Sequence, residues 1–182
     1  MRSSLRVLGP LGIFLSGCLG PNNPFAIFAL PVEVGELVAS AAKDDTGWER
    51  ISGNGPKTIE DARGHVLIVE VFTLDCHACD ERLTAYRKLY VDTKGLRVIA
   101  VEVDPITEQT KADLERRADA LDLDYSVMID QKGGLRSKLD EKDLPVCMVF
   151  DRDGKLALSK LTCNADGLDA VVSTARRLLA TE

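Results

Sequence analysis

Two cysteines separated by two residues, Cys76 and Cys79, constrain what this chain can fold into more than any other feature of its sequence. They follow shortly after a nearly continuous apolar run, Val66–Phe72, and they stand at the start of a helical pattern. The N-terminus of a helix has free N–H groups and the positive end of the macrodipole, so it favours a thiolate. The spacing lets the second sulfur reach the first, which predicts a pair that attacks a disulfide and then resolves the mixed disulfide.

Strand and helix patterns alternate from about residue 48 onward. Apolar runs typical of strands buried on both faces of a largely parallel sheet occur at Val66–Phe72, Leu96–Val103 and Tyr125–Ile129. Apolar stripes at helical spacing predict helices at Cys79–Tyr90, Thr107–Leu121 and Asp166–Leu179. The alternation predicts an α/β fold built from right-handed βαβ units.

The end of the domain has the pattern of an antiparallel hairpin. Val146–Phe150 and Lys155–Leu161 flank Asp151–Gly154, a turn with a glycine where a positive φ is needed. The turn lacks the later ligands and the glutamate of an EF-hand, so a hairpin is a better interpretation than a calcium loop. Reflection about this turn places Cys147 opposite about residue 158.

The amino terminus is typical of an exported lipoprotein. Arg2 and Arg6 precede a short apolar stretch, Val7–Leu15, which is far below the ~18 residues that span a bilayer and therefore indicates a secretory signal. The sequence Leu15-Ser16-Gly17-Cys18 resembles the bacterial lipobox, in which the signal is cut before the cysteine and the cysteine is lipidated. An ordinary signal peptide, or a short anchor helix with Cys18 incidental, is the alternative.

This interpretation divides the chain into a signal peptide at 1–17, a lipidated cysteine with a tether at 18–45, and one folded domain at 46–182. An exported domain meets an oxidising compartment, where disulfides persist. The lipid anchor implies a place in the bacterial cell envelope, at a membrane surface and facing the periplasm. Leu19 after the cysteine favours the outer membrane in sorting systems of the enterobacterial type.

Composition argues against one large class of function. The formal charge is −6 and aromatic residues make up only 5% of the chain, so a nucleic-acid-binding protein is not expected. Five cysteines are too few for a disulfide scaffold of this length. Lipidation of Cys18 accounts for the odd one, and Cys147 and Cys163 remain beside the paired motif.

Other chemistries of the paired cysteines are less well supported. Haem attachment needs a histidine directly after the second cysteine, where this chain has Asp80. A zinc site needs two further ligands at suitable spacing, and His65, Cys147 and Cys163 are poorly placed for it. A purely structural disulfide stays open as an alternative. We expect no metal and no bound cofactor.

The chain resembles the thioredoxin superfamily, most closely its TlpA-like (redoxin), membrane-tethered thiol–disulfide oxidoreductases. The resemblance covers roughly residues 48–179 and is carried by Thr58–Phe72, the Cys76–Cys79 motif, and Leu144-Pro145 followed by a strand and Asp151–Lys155. It implies a thioredoxin-like fold, with a central mixed sheet, a C-terminal antiparallel hairpin and helices on both faces. It also implies that Pro145 is cis, faces the cysteine pair and contacts an extended substrate segment. A trans proline that merely starts a strand is the alternative.

Glu70 is a further expected catalytic residue. An acidic residue inside the apolar run Val66–Phe72 is unfavourable unless it has a role or a partner. Its place before Cys76 matches the superfamily's buried carboxylate, which is usually an aspartate. Burial should raise its pKa and let it move a proton to or from Cys79. A paired or water-exposed glutamate at the strand end is the alternative.

The motif departs from the family at the residues that tune its redox behaviour. The family commonly has a tryptophan before the first cysteine and a proline before the second, whereas this chain has Asp75 and Ala78. The Asp75 carboxylate opposes a thiolate at Cys76, while a cationic imidazole at His77 stabilises it.

Three other residues have open roles. TlpA-like proteins often carry a glutamate three residues after the second cysteine, where this chain has Arg82, with Glu81 one residue early. Cys147, in an apolar strand, is most simply a core residue. Cys163 aligns roughly with a small residue near the redox site of relatives, which makes it a candidate third reactive thiol. A Cys147–Cys163 disulfide is the other possibility.

The leading hypothesis is an exported, lipid-anchored thiol–disulfide oxidoreductase that acts on protein thiols and disulfides and depends on a redox partner protein. In it, Cys76 attacks, Cys79 resolves, Glu70 transfers protons and Pro145 helps to hold the substrate.

Two alternatives come from different classes of protein. A peroxiredoxin-like thiol peroxidase is favoured by Thr73, three residues before Cys76, although the proline expected four residues before that threonine is Val69. The second is a non-catalytic thioredoxin-fold lipoprotein used for binding or metal delivery.

Overall fold

The computed structural model of the protein describes residues 47–139, 144–161 and 165–181. The predicted signal peptide, Cys18, the tether and Cys163 lie outside these residues. Within them, no helix has both the length and the apolar character needed to cross a membrane.

Six strands form one mixed sheet. They are β1 Trp48–Ser52, β2 Val66–Phe72, β3 Leu96–Glu102, β4 Ser126–Asp130, β5 Val146–Phe150 and β6 Leu156–Leu161. Their order across the sheet is β1-β4-β3-β2-β5-β6. The pairs β2–β3 and β3–β4 are parallel, and the other three pairs are antiparallel. The predicted mixed sheet with a parallel βαβ part and a C-terminal hairpin is therefore confirmed.

β2 lies inside the sheet between β3 and β5, and all seven of its residues are buried. Side chains alternate along a strand, so β2 contributes to two cores. Val66, Ile68 and Phe72 belong to one core, and Leu67, Val69 and Val71 to the other. The same alternation places Glu70 on the face of Ile68 and Phe72.

The described α-helices are α1 Cys79–Asp92, α2 Glu108–Ala120 and α3 Ala165–Ala180. All three pack on the Ile68 face of the sheet, through Leu83 and Tyr86 of α1, Leu114 and Ala118 of α2, and Val171 and Ala175 of α3. The opposite face is covered by the 3-10 helix Glu60–Ala62 and by Leu135 and Leu139. Helices thus cover both faces, with the α-helices gathered on the face that carries Glu70.

β1 is a strand that the sequence patterns do not predict. All five of its residues are half-buried, so it has no alternation of buried and exposed positions that would indicate a strand. It pairs antiparallel with β4 at the edge of the sheet. Its formation therefore depends on the pairing partner rather than on a local pattern.

The predicted hairpin turn is present, and its register corrects one expectation. Gly154 has φ 74°, and the Asp151 side chain accepts hydrogen bonds from the backbone N–H groups of Asp153 and Lys155. Cys147 lies opposite Lys160, not opposite residue 158. The shift arises because the turn pairs Asp151 with Lys155 and because β5 carries an irregularity at its end.

Candidate active site

Cys76 and Cys79 form a disulfide, with an S–S distance of 2.08 Å. α1 begins at Cys79, so Cys76 lies in the turn that leads into the helix. The two cysteines differ in accessibility, because Cys79 is fully buried while Cys76 is half-buried. Only the Cys76 sulfur is therefore in a place where a protein substrate can reach it.

Cys76 opens into a cleft of about 330 Å³ that also includes Pro145. The other lining residues are Thr73, Asp75, Asp104, Arg136 and Leu144. The Leu144–Pro145 peptide bond is cis, the isomer that the family resemblance implies. The fold thus brings together the redox pair at the start of α1 and the proline at the start of β5, which are far apart in sequence.

Asp75 and His77 flank Cys76 and are both exposed. The Asp75 carboxylate accepts a hydrogen bond from the Thr73 hydroxyl at 2.5 Å. The backbone N–H of His77 donates to the carbonyl of Asp75 at 2.9 Å, which closes a tight turn at the motif. Asp75 and His77 are the immediate neighbours of Cys76 in the sequence.

Glu70 is fully buried and paired, and its partner is Arg82 of α1. Arg82 Nη2 donates to Glu70 Oε1 at 2.6 Å, and Arg82 Nε adds longer bonds to both carboxylate oxygens. Burial raises the pKa of the Glu70 carboxyl above its usual range, and the charge of Arg82 limits that rise. Glu70 is buried, as its catalytic interpretation predicts, and it is also paired with Arg82, as the alternative allows; the structure contradicts only the water-exposed form.

Cys147 and Tyr86 complete a buried polar cluster around this ion pair. The Cys147 Sγ lies 3.3 Å from Glu70 Oε2, 3.0 Å from Arg82 Nη2 and 3.2 Å from the Tyr86 hydroxyl. Burial raises the pKa of the Cys147 thiol well above its usual range, so this sulfur stays protonated. We call Glu70, Arg82, Tyr86 and Cys147 the buried cluster.

The sequence predicts part of this cluster and misses the rest. Cys147 is buried as predicted and is a free thiol, but its polar partners were not expected. Arg82 and Tyr86 lie four residues apart on α1 and so share a face, which is a pattern that could have pointed to Arg82. Glu81 is exposed, and Arg82 is the α1 residue that reaches the buried carboxylate.

A second buried acid, Glu102 at the end of β3, was not expected at all. Its Oε1 accepts a hydrogen bond from the backbone N–H of Asp104 at 2.6 Å, and the Asp104 carboxylate accepts one from the N–H of Leu74 at 2.8 Å. Burial raises the pKa of Glu102 to about 8. An acid in the apolar run Leu96–Val103 is the same anomaly that identified Glu70, so the sequence did contain this pattern.

Comparison with known protein families adds an independent observation to this geometry. A profile described as "AhpC/TSA family" matches residues 40–159. The chain belongs to the AhpC/TSA family. The match includes β1 to β5 and most of β6, and therefore the cysteine pair, Glu70, Arg82 and Pro145.

Several solved structures share the fold of this chain. An uncharacterized thioredoxin-like protein from Porphyromonas gingivalis is 24% identical, over 64% of this chain and 76% of that one, with a TM-score of 0.54. A putative thiol:disulfide interchange protein DsbE from Chlorobium tepidum is 18% identical, over 74% and 98%, with a TM-score of 0.56. A secreted Mycobacterium tuberculosis disulfide oxidoreductase homologous to E. coli DsbE is 11% identical, over 76% and 98%, with a TM-score of 0.59.

A comparison with curated proteins gives no significant match. The structural neighbours establish the thioredoxin-like fold of this AhpC/TSA chain. The chain thus combines a thiol–disulfide oxidoreductase-like fold with the Cys76–Cys79 pair.

Proposed function

We propose that this AhpC/TSA chain is an exported, lipid-anchored thiol–disulfide oxidoreductase that acts on protein thiols and disulfides. The proposal rests on a disulfide whose two cysteines differ in burial and which lies beside the cis proline. Cys79 is buried, Cys76 faces a cleft, and Pro145 lines the same cleft. This arrangement suits a reaction in which Cys76 reacts with the substrate and Cys79 then resolves the mixed disulfide.

In the reductive direction the reaction balances as follows. The Cys76 thiolate attacks one sulfur of a substrate disulfide, forms a mixed disulfide and releases the other substrate sulfur as a thiolate that takes up a proton. Cys79 then loses its proton and attacks the Cys76 sulfur, which releases the second substrate thiol. The substrate gains two electrons and two protons, and Cys76–Cys79 becomes a disulfide. A dithiol partner protein must return two electrons and two protons to the pair.

Glu70 is proposed to accept the proton of Cys79 in the second step and to return it in the reverse direction. It is buried on the sheet face that α1 covers, and burial raises the pKa of its carboxyl above the usual range, which makes it a stronger proton acceptor than an exposed glutamate. Replacing it with Gln removes the proton acceptor while keeping its size. We expect Glu70→Gln to slow resolution of the mixed disulfide by about 10²-fold, while the first attack by Cys76 stays close to wild type.

Pro145 is proposed to hold an extended substrate segment against the cleft. Pro145 has no backbone N–H to donate. A substrate strand would therefore pair with the carbonyl groups and with the N–H groups of the neighbouring residues. Asp75 and His77 are proposed to tune the pair, the carboxylate opposing the Cys76 thiolate and a cationic imidazole favouring it.

The envelope location rests on the amino-terminal sequence and on the fold. Thioredoxin-like neighbours include a protein described as secreted, and a Cys76–Cys79 disulfide persists in an exported compartment. The lipobox-like sequence at Cys18 supports lipid attachment and hence a membrane surface. Inhibition of the lipoprotein signal peptidase, or Cys18→Ala, should leave a slower-migrating precursor; unchanged processing and a soluble product would contradict the anchor.

Thiol peroxidase activity is the second candidate, because Thr73 and Cys76 line the same cleft. The Thr73 hydroxyl, however, donates to Asp75. Peroxide treatment of the reduced Cys79→Ser variant separates the two functions. Rapid formation of a sulfenic acid at Cys76 in this variant, together with sustained peroxide turnover by wild type when a dithiol reductant is supplied, would favour the peroxidase.

The test of the leading proposal is an insulin-reduction assay with the full-length reduced protein. We expect stoichiometric reduction of insulin disulfides by wild type, sustained turnover when a dithiol reductant is supplied, and none by Cys76→Ser. Wild type that neither reduces nor oxidises a protein substrate, with a fold unchanged by circular dichroism, supports the non-catalytic alternative.

A further inference from the structure

Arg117 of α2 directs its guanidinium at the segment Thr73–Cys79, which we call the redox loop. Its Nη2 donates to the carbonyl of Cys76 at 2.5 Å, and its Nη1 donates to the carbonyl of Leu74 at 3.0 Å. A longer bond of 3.5 Å runs from Nη1 to the carbonyl of Thr73. A single side chain from another helix thus binds three backbone carbonyls of the loop.

The same guanidinium also contacts both elements that the loop joins. Its Nε donates to the Asp80 carboxylate, in the first turn of α1, at 2.7 Å. Its central carbon lies 5.4 Å from the centre of the Phe72 ring, at the end of β2. The Arg117 side chain is only 13% exposed, so these contacts are partly screened from water and are stronger than those of a surface ion pair.

Arg116, the preceding residue of α2, has different contacts from those of Arg117 with the redox loop. Its guanidinium pairs with Asp113 within α2, and its side chain is 66% exposed. The two arginines therefore carry the same charge and lie in the same helix, but they contact different residues. Arg116 is a matched control for every substitution at Arg117.

The charges around Cys76 give the contact a chemical consequence. Asp75 and Asp80 lie on either side of the motif, and both carboxylates oppose a thiolate at Cys76. Arg117 neutralises Asp80 and brings a positive charge to the carbonyl of Cys76 itself. A cation held there favours the negative sulfur of the reduced state over the neutral disulfide.

We propose that Arg117 is a positioning residue that fixes the redox loop and stabilises the thiolate of Cys76 in the reduced protein. This inference rests on the proposed function, because it assigns a residue that sets the redox poise of the same cysteine pair. It predicts that loss of the Arg117 charge shifts the equilibrium of the pair towards the disulfide, while the fold is retained.

The test is the equilibrium of the full-length protein with glutathione. Two glutathione thiols reduce the Cys76–Cys79 disulfide, giving the dithiol and one glutathione disulfide, so electrons and protons balance. We expect Arg117→Gln to lower the equilibrium constant for reduction about tenfold, which corresponds to about 30 mV. Arg116→Gln should stay within about twofold of wild type, and circular dichroism should show all variants folded.

Asp80→Asn separates the effect of charge from a simple loosening of the loop. It removes a negative charge near Cys76 and leaves Arg117 in place, so it should shift the same equilibrium towards the dithiol. A shift of both variants in the same direction, no shift in Arg117→Gln, or an equal shift in Arg116→Gln would overturn the proposal.

The result can be separated from the outcome of the insulin assay, because the glutathione equilibrium needs no protein substrate. A wild type that is inactive on insulin but shows opposite shifts for the Arg117 and Asp80 variants would remove the proposed function and keep this inference. An active wild type with no shift in Arg117→Gln would keep the proposed function and remove this inference.

Discussion

The redox loop with its contacts and the buried cluster each combine a cysteine, a carboxylate and a guanidinium, and yet they differ in chemistry. At the loop, the Arg117 guanidinium binds the backbone carbonyl of Cys76 and the carboxylate of Asp80. In the loop, the sulfur faces a cleft, and the nearby backbone is the start of a helix. These conditions favour a reactive thiolate.

The buried cluster has its own sulfur, carboxylate and guanidinium, in Cys147, Glu70 and Arg82. Here the Glu70–Arg82 ion pair is almost completely removed from water, and burial raises the pKa of the Cys147 thiol. We therefore expect access to solvent, together with the start of the helix, to decide which sulfur is the nucleophile.

The largest expected effect comes from substituting the two sulfurs, Cys76 of the redox loop and Cys147 of the buried cluster. Cys76→Ser should lower insulin reduction by several orders of magnitude, because no other sulfur of the described residues faces the cleft. Cys147→Ala should keep most of the activity. Iodoacetamide should modify Cys76 in the native reduced protein and Cys147 only after unfolding; native labelling of Cys147 would contradict the distinction.

The second prediction removes the cation of the buried cluster. Arg82→Met leaves the Glu70 carboxylate buried without its partner, so the free energy of unfolding should fall by about 3–5 kcal/mol in urea titrations. Arg87→Met is the control, because Arg87 pairs with the exposed Asp122 and its loss should cost no more than about 1 kcal/mol.

A double substitution sharpens the same point. Replacing Glu70 with Leu in the Arg82→Met background removes the unpaired charge, so most of the lost stability should return. A double variant as unstable as Arg82→Met alone would mean that packing, not the ion pair, explains the loss.

A third expected effect concerns the pH dependence of stability and involves Glu102, a buried acid whose carboxylate accepts a hydrogen bond from the Asp104 N–H. Its pKa of about 8 in the folded protein is above the value of 4.5 for a free glutamate. The folded state therefore keeps a proton that the unfolded state releases, and stability falls as the pH rises from about 4.5 to about 8.

Glu102→Gln should remove that part of the pH dependence. Wild type should lose at most about 1.4 kcal/mol per pH unit from this group within the window, whereas the variant should lose less. Urea titrations at about pH 5, 7 and 8.5 measure the difference. Parallel pH profiles for the two proteins would show that Glu102 does not carry the dependence.

Much of the fold and part of the site follow from the sequence. The apolar runs predict the buried strands, and the acid inside β2 predicts a buried carboxylate at Glu70. The predicted and observed strands agree because a strand buried on both faces of a sheet needs a continuous run of apolar residues, which can be recognised in the sequence. The same rule, applied to β3, identifies Glu102.

The partners of these groups could not be predicted in the same way. Arg82 and Arg117 both have long side chains whose direction depends on which helix face meets the sheet and the loop. Arg116 and Arg117 are indistinguishable by residue type, and only the position of Arg117 next to the buried Ala118 separates them. Tertiary packing, which sequence patterns do not contain, decides that one reaches the redox loop and the other reaches solvent.

The most direct test of the account is the trapping of a mixed disulfide with the Cys79→Ser variant. The reduced full-length variant is mixed with a protein that carries an accessible disulfide, and the cross-linked cysteine is identified by mass spectrometry after digestion. The account predicts a stable adduct through Cys76, which is dissolved by dithiothreitol and absent in the Cys76→Ser/Cys79→Ser variant. An adduct through Cys147, or no adduct with a folded Cys79→Ser protein, would contradict it.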